Sequence, residues 1–305
     1  MVDVGARGGL DRRWEPFYAL LDVLGFEPDS AECGRLNQAV QKMPYRGRFL
    51  PYALGRGDDE LTFNVCRWPV ASGFYEPNPE VLDDFSPAVG LMTVVERRTV
   101  ATASLDAVCA QEALTPDFLK IDVEGAELDV LSGAETALEH ALALDVEVEF
   151  DALFRGQPLF AEIDAHLRER GWRLLGLRRV SWRRTAGLTS DGNGYGGQLV
   201  SGEALYFNGS ALKRGLTATQ ALKLALILSA YHQHDFVLAL MGRAPVSQFP
   251  SDEREALEAG LAPPPSLARR LALRALRGVD SEQRRKLADA LQHGGATVWQ
   301  DAHHF

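Results

Sequence analysis

Apolar runs and polar breaks alternate through the first two-thirds of the chain as repeated strand–turn–helix units. The clearest unit is Pro116 to Ala134, PDFLKIDVEGAELDVLSGA. Phe118, Leu119, Ile121 and Val123 make a short apolar run holding a lysine and an aspartate, bounded by Pro116 and Gly125, which predicts a buried parallel strand. Gly125 supplies the turn, and Ala126 to Leu131 resumes at helical spacing with Leu128 and Leu131 on one face. Asp122 and Glu124 fall at the carboxyl end of the strand, where open α/β sheets place their ligands. They are poor core filler, because an uncompensated buried carboxylate is costly.

The flanking segments extend this pattern. Met1 to Asp3 reads as the end of a strand, short against the usual five or six residues or so, so the domain is expected to begin upstream. A glycine-rich turn, Gly5-Ala6-Arg7-Gly8-Gly9, follows. Asp11 to Leu21 predicts a helix with Trp14, Phe17, Tyr18 and Leu21 near one face. A second strand leads from Val23 into Glu27 and stops at Pro28, and Ser30 is the expected N-cap of a helix to Lys42. Arg48 to Leu54 reads as a third strand in which Pro51 is awkward, and Leu61 to Cys66 as an extra one. Arg67 to Pro79 is a long aromatic loop in which Trp68, Ser72 and Tyr75 either meet an acceptor or pack onto the sheet. Thr93 to Leu105 suits two strand-like pieces, followed by a helix from Ser104–Asp106 to Leu114. Glu135 to Leu142 is helical. Leu144 to Phe150 is a strand with alternating acids, on which Glu147 and Glu149 share a face. Pro158 to Arg170 is an amphipathic helix ended by Gly171. Trp172 to Leu177, a basic glycine-rich loop from Arg178 to Gly197, and a last short strand at Ala204 to Phe207 complete the unit.

After Asn208 the pattern turns helical: Thr217 to Tyr231, apolar pieces to Met241, then Glu253 to Ala259, Ser266 to Leu276 and Glu282 to Leu291. Two regions are therefore expected, residues 1–210 and an all-helical appendage over residues 211–305. His232 and His234, two apart, would not face each other on a helix, which argues against a metal site there.

With 305 residues and 46% hydrophobic residues, the composition is that of an ordinary globular chain. The net charge of -10 lacks the basic footprint of a nucleic-acid binder. Three scattered cysteines form no CxxC pair, which fits a reducing cytoplasm rather than a disulfide scaffold. No secretory leader is visible. Ala221 to Met241 is interrupted by Lys223, His232, His234 and Asp235, so no membrane span is expected.

The chemistry-bearing residues gather at the strand ends. Glycines in the Asp3-x-Gly5-x-x-x-Gly9 turn let the backbone pass close to a ligand, and a carboxylate beside it can meet an ammonium group. A tight strand-to-helix turn explains the same spacing. Arg7 replaces the second glycine of a dinucleotide fingerprint. Glu27, one strand–helix unit later, is placed to accept hydrogen bonds from a ribose diol. No histidine falls on a predicted strand end, so Asp122, Glu124 and Glu149 are the candidate bases. Glu124 serves equally as a cap for the helix that follows, and alternation points Lys120 the same way as Asp122.

LKIDVEGAELDVLSGA closely resembles the signature of the FkbM family of S-adenosylmethionine-dependent methyltransferases. Asp3-x-Gly5-x-x-x-Gly9 resembles the first methyltransferase motif, and Phe26-Glu27-Pro28-Asp29 after a glycine loop is similar to the family as well. The resemblance covers roughly the first two-thirds of the chain. It implies an α/β class I methyltransferase Rossmann-like sheet, mostly parallel with its last strand antiparallel, ahead of the helical appendage. It implies O-methyl transfer to a hydroxyl of a sugar, glycan or secondary metabolite. Asp3, Gly5, Ala6, Gly9, Glu27, Pro28 and Asp122 are the expected cofactor contacts, and Tyr52 to Leu54 lies near the adenine by resemblance. Mg²⁺ held by the acids is the less favoured source of acceptor activation, and no metal ligand is assigned. The helical appendage either covers the acceptor cleft or forms a homodimer. The competing readings are a nicotinamide-dependent oxidoreductase, which Arg7 in the glycine loop disfavours, and a non-catalytic protein that binds S-adenosylmethionine and recruits a partner, which the intact Asp3, Gly5, Gly9 and Glu27 disfavour.

Overall fold

A computed structural model describes residues 1–85, 88–184 and 197–241. Its strands are β1 (Val2–Val4), β2 (Asp22–Phe26), β3 (Arg46–Leu50), β4 (Ala53–Gly55), β5 (Glu60–Cys66), β6 (Val94–Ser104), β7 (Phe118–Ile121), β8 (Ala143–Glu149), β9 (Trp172–Trp182) and β10 (Gln198–Asn208). Among the described residues they form a seven-stranded sheet, ordered β3-β2-β1-β7-β8-β10-β9, and a three-stranded sheet, ordered β4-β6-β5. In the larger sheet β10 runs antiparallel to β8 and β9, and the remaining neighbours are parallel. This is the mostly parallel sheet with an antiparallel last strand of the class I methyltransferase fold. Strand order reverses between β1 and β7, and the crevice outside their carboxyl ends is where such sheets bind ligands.

The two faces of the sheet differ in chemistry. Val2, Val4, Leu24, Phe26, Leu119, Ile121, Leu144, Val146 and Val148 belong to one continuous buried cluster. Alternation turns their neighbours the other way, and the register lines up Asp3 with Lys120 and Lys120 with Asp145 across β1, β7 and β8. Trp14, from the 3₁₀ segment Arg12–Leu20, covers this polar face together with Tyr231. Both rings pack on Phe118, with centroids 5.2 and 5.7 Å away.

Several elements depart from the sequence reading, each for a local reason. The expected third strand is two strands: Arg46–Leu50 pairs with β2, and after Pro51 the chain leaves for the smaller sheet as Ala53–Gly55. Proline has no N–H to continue a ladder. The N-cap of the helix Ser30–Val40 is Asp29, not Ser30; its carboxylate accepts from the backbone N–H groups of Ala31 and Glu32. The two pieces expected over residues 93–105 are one strand, β6, which pairs antiparallel with β5 along most of its length and parallel with β4 at its end. β9 continues to Trp182, through residues expected in a loop, because Arg178 stands opposite Glu203 on β10 and forms an ion pair with it. The segment Arg12–Leu20 is 3₁₀ rather than α, with Pro16 inside it.

The described residues beyond 208 form the helices Gly209–Arg214, Ala218–Ala230 and His234–Met241. Thr217 and Gln220 form a capping box at the start of the second. Lys223 is 2.7 Å from Asp117, and the Tyr231 hydroxyl donates to Asp145 at 2.8 Å. His232 sits in the turn between helices at φ 57°, so its ring does approach that of His234, at 5.8 Å. No helix among the described residues is long and apolar enough to cross a membrane. Residues 185–196 of the glycine-rich loop, and the helices expected over 253–259, 266–276 and 282–291, lie outside the described residues.

Candidate functional site

The turn after β1 is bound to both neighbouring strands. The Gly5 and Ala6 N–H groups donate to the Phe26 carbonyl at the end of β2, at 3.1 and 2.9 Å. Gly5 has φ 80°, and a Cβ there would lie 1.7 Å from the Asp122 carbonyl oxygen, so only glycine fits between the β1 turn and the end of β7. Ala6 is buried, and Gly9 takes φ 85°. The Gly8 N–H donates to Glu32 at 3.0 Å. Arg7 reaches from this turn to Glu27 at 3.3 Å and Asp29 at 3.1 Å. Glu27 is buried at the end of β2, where its Oε1 also accepts from the Asp29 N–H at 2.8 Å. Burial raises its pKa. Pro28 turns the chain from Glu27 to the Asp29 cap.

Beside this turn lies a cavity of about 200 Å³ lined by Asp3, Gly9, Lys120, Asp122, Asp145 and Tyr231, among others. Asp3 is 3% exposed, and its Oδ1 accepts no hydrogen bond from the described residues. Lys120 Nζ lies 3.0 Å from Asp122 Oδ2 and 3.8 Å from Asp3 Oδ1. Burial pushes the Asp122 carboxyl up, but Lys120 beside it and a hydrogen bond with Glu147 outweigh that and hold it below its ordinary value. Burial dominates at Asp3 and raises it. Of the predicted cofactor contacts, the structure brings Asp3, Gly9 and Asp122 to one cavity. Glu27 and Pro28 stand on the β2 side of the glycine turn and do not line it.

Beyond Asp122 the chain enters a strained turn. Glu124 is left-handed at φ 59° and Gly125 at φ 97°, a conformation that costs a residue with a side chain about 1 kcal/mol or more. Glu124 does not cap the helix Glu127–Ser132, whose N-cap is Ala126 with no side-chain bond. Glu127 instead ties the turn before the helix: its Oε1 accepts from the N–H groups of Val123, at 2.8 Å, and Gly125, at 3.3 Å. Carboxylate oxygens of Asp122, Glu124 and Glu147 lie within 4.8 Å of one another, as do those of Glu127, Glu147 and Glu149. Burial raises Glu124, Glu147 and Glu149 well above the usual carboxylate range, and mutual repulsion adds to it. Glu127 is pushed up to about 7, chiefly by burial.

Sequence reasoning missed Glu127, Arg13 and Tyr231. An acid in the first helical turn is a readable signal for Glu127. Arg13 pairs with Glu203 at 3.2 Å and lies 4.5 Å from the Tyr231 ring centroid, contacts that no local pattern announces. In the aromatic loop, the Ser72 hydroxyl accepts from the Cys66 N–H and Tyr75 donates to Asp129, so both serve the fold; Trp68 stays exposed.

A family model described as the methyltransferase FkbM domain matches residues 3–174. The chain belongs to the FkbM methyltransferase family. The matched segment of this FkbM methyltransferase runs from Asp3 into β9 and contains every site residue predicted from the sequence. No curated protein sequence matches the chain. Among solved structures, it is similar to the magnesium protoporphyrin IX methyltransferase (ChlM) of Synechocystis PCC 6803 with bound SAM, at 12% identity over 68% of each chain and a TM-score of 0.35. So slight a likeness carries no argument about this FkbM methyltransferase.

Proposed function

We propose that this FkbM methyltransferase moves the methyl group of S-adenosylmethionine to a hydroxyl of a sugar, glycan or secondary metabolite. The observation that carries the reading is the convergence of Asp3, Gly9 and Asp122 on one cavity at the strand-order reversal. The residues fit the donor. The buried Asp3 Oδ1, with no hydrogen-bond partner among the described residues, suits an ammonium group. The close approach at Gly5 keeps the turn narrow beside it. Glu27, at the neighbouring strand end, suits the ribose hydroxyls. The cofactor supplies an activated methyl group on a sulfonium, and the chain's own task is placement and proton removal.

Asp122 is the base this reading favours. It faces the cavity and Lys120 keeps it ionised, so it can take the acceptor's proton as the new O–C bond forms. Glu124 comes next, held beside it by the strained turn. Glu149 is 1% exposed and does not line the cavity, so it is the least well placed of the three to meet the acceptor. Tyr231 lines the cavity, which supports the first helices past residue 210 as a cover for the acceptor side.

Incubation with methyl-labelled S-adenosylmethionine and a panel of hydroxylated sugars and polyketides tests this. The expected product carries the label on oxygen, and Asp122→Asn lowers kcat about a hundredfold or more, as removal of a general base does. Label found only on nitrogen or carbon, or unchanged turnover by Asp122→Asn, would refute it.

A further inference from the structure

Three carboxylates that do not line the cavity crowd together beside it. Glu147 and Glu149 point to the same face of β8, and Glu127 meets them from the first turn of the helix Glu127–Ser132. One oxygen from each lies within 4.8 Å of the other two. Crowded acids alone mark no site, and a second observation is what singles these out. The Oε2 atoms of the fully buried Glu127 and Glu149 have no hydrogen-bond partner among the described residues, while Glu147 also lies within hydrogen-bonding reach of Asp122. Glu127 is 0% exposed and Glu149 1%. No lysine or arginine among the described residues forms an ion pair with any of the three; Lys120, the nearest cation by chemistry, is engaged with Asp3 and Asp122.

The triad is also held in place. The Val123 and Gly125 N–H groups fix Glu127 through its Oε1. Glu147 and Glu149 are anchored on β8 by pairing with Glu203 and Ser201 of β10. A set of rigid, convergent, dehydrated carboxylate oxygens is expensive to keep charged unless a cation sits among them.

We infer that Glu127, Glu147 and Glu149 form a binding site for one hard divalent cation. All three ligands are oxygen, with no sulfur or imidazole, which selects Ca²⁺, Mg²⁺ or Mn²⁺ over zinc. Two oxygens on opposite sides of Ca²⁺ stand about 4.6–5.2 Å apart, and on opposite sides of Mg²⁺ about 4.0–4.2 Å. Oxygens that all lie within 4.8 Å of one another fall inside the span of a single Ca²⁺ or Mg²⁺ coordination sphere of about that size. Glu147 also belongs to the group with Asp122 and Glu124, so the cation would lie next to Asp122, which lines the cavity. The sequence reading held Mg²⁺ on Asp122, Glu124 and Glu149 as the less favoured possibility; the ligand set inferred here shares only Glu149 with it. This set does not depend on which reaction the protein catalyses.

The test is calorimetric titration of chelator-stripped full-length protein with CaCl₂, MgCl₂ and MnCl₂ in turn, paired with thermal melts and with S-adenosylmethionine titrations of the same samples. One saturable site is expected, with Tm raised by about 4 °C or more at saturating cation. Glu147→Gln and Glu149→Asp are each expected to weaken cation binding tenfold or more and to flatten the cation-dependent rise in Tm. Should Glu147→Gln fail to fold, Glu149→Asp, which keeps the charge and shortens the ligand, decides alone. Well-folded wild type with no saturable site for any of the three cations would overturn the inference, because shared protons then satisfy the triad. Variants that bind like wild type would overturn it equally. Wild type that binds S-adenosylmethionine but none of the three cations sinks this site and spares the functional reading; wild type that binds a cation at one saturable site but no S-adenosylmethionine sinks that reading and spares the site.

Discussion

A Cβ on Gly5 would stand 1.7 Å from the Asp122 carbonyl oxygen, so the first turn of the domain and the end of its central strand touch through a missing side chain. Everything at the site is built on that contact. It brings Asp3 and Asp122, distant in sequence, to the two sides of Lys120.

Gly5→Ala therefore has two costs, the positive φ and the overlap. We expect a loss of about 2 kcal/mol or more of unfolding free energy in urea, and loss of S-adenosylmethionine binding from the molecules that still fold. A variant as stable as wild type would show that the turn has room to move.

The helices past residue 210 are tied to the sheet through Tyr231 and Asp145, at 2.8 Å. Tyr231→Phe keeps the ring packing on Phe118 and Trp14 but removes the donor from a buried carboxylate. The expected cost is about 1–3 kcal/mol by urea denaturation, the penalty of one unsatisfied buried acceptor.

The glycine turn also predicts a pH dependence. Arg35 donates to both oxygens of Glu32 at 2.7 Å and, with the Gly8 N–H, holds Glu32 down to about 2 from an ordinary 4.5. A folded pKa below the unfolded one gives stability that is complete above about pH 4.5 and fades as pH falls toward 2. Glu32→Gln should thus be less stable than wild type at pH 7, with the gap narrowing by pH 3. Urea midpoints at the two pH values check this; a gap that stays constant would mean the charge is not what matters.

Much of this site is legible in the sequence because strand alternation is rigid. The i, i+2 rule alone sets Lys120 beside Asp122, and it turns Glu147 and Glu149 to one face while Val146 and Val148 enter the core. The glycine turn is legible because φ near +80° excludes other residues. Pro51 read as awkward in a strand, and the chain does break there, although its onward path to β6 depends on a partner remote in sequence. Glu127 was hidden because its role is to bond N–H groups of a turn whose shape only the fold defines. Arg13 and Tyr231 were hidden because their meeting over the polar face is wholly tertiary.

The central claim is that Asp3, beside the Gly5 turn, receives the charged end of S-adenosylmethionine. Calorimetric titration of S-adenosylmethionine into wild type and Asp3→Asn tests it most directly. The account predicts one site per chain in wild type, displaced by the demethylated product, and at least tenfold weaker binding by Asp3→Asn, a change of about 1.4 kcal/mol, with Tm unchanged or raised. A folded wild type that binds no S-adenosylmethionine, or an Asp3→Asn variant that binds it as tightly, would contradict the account.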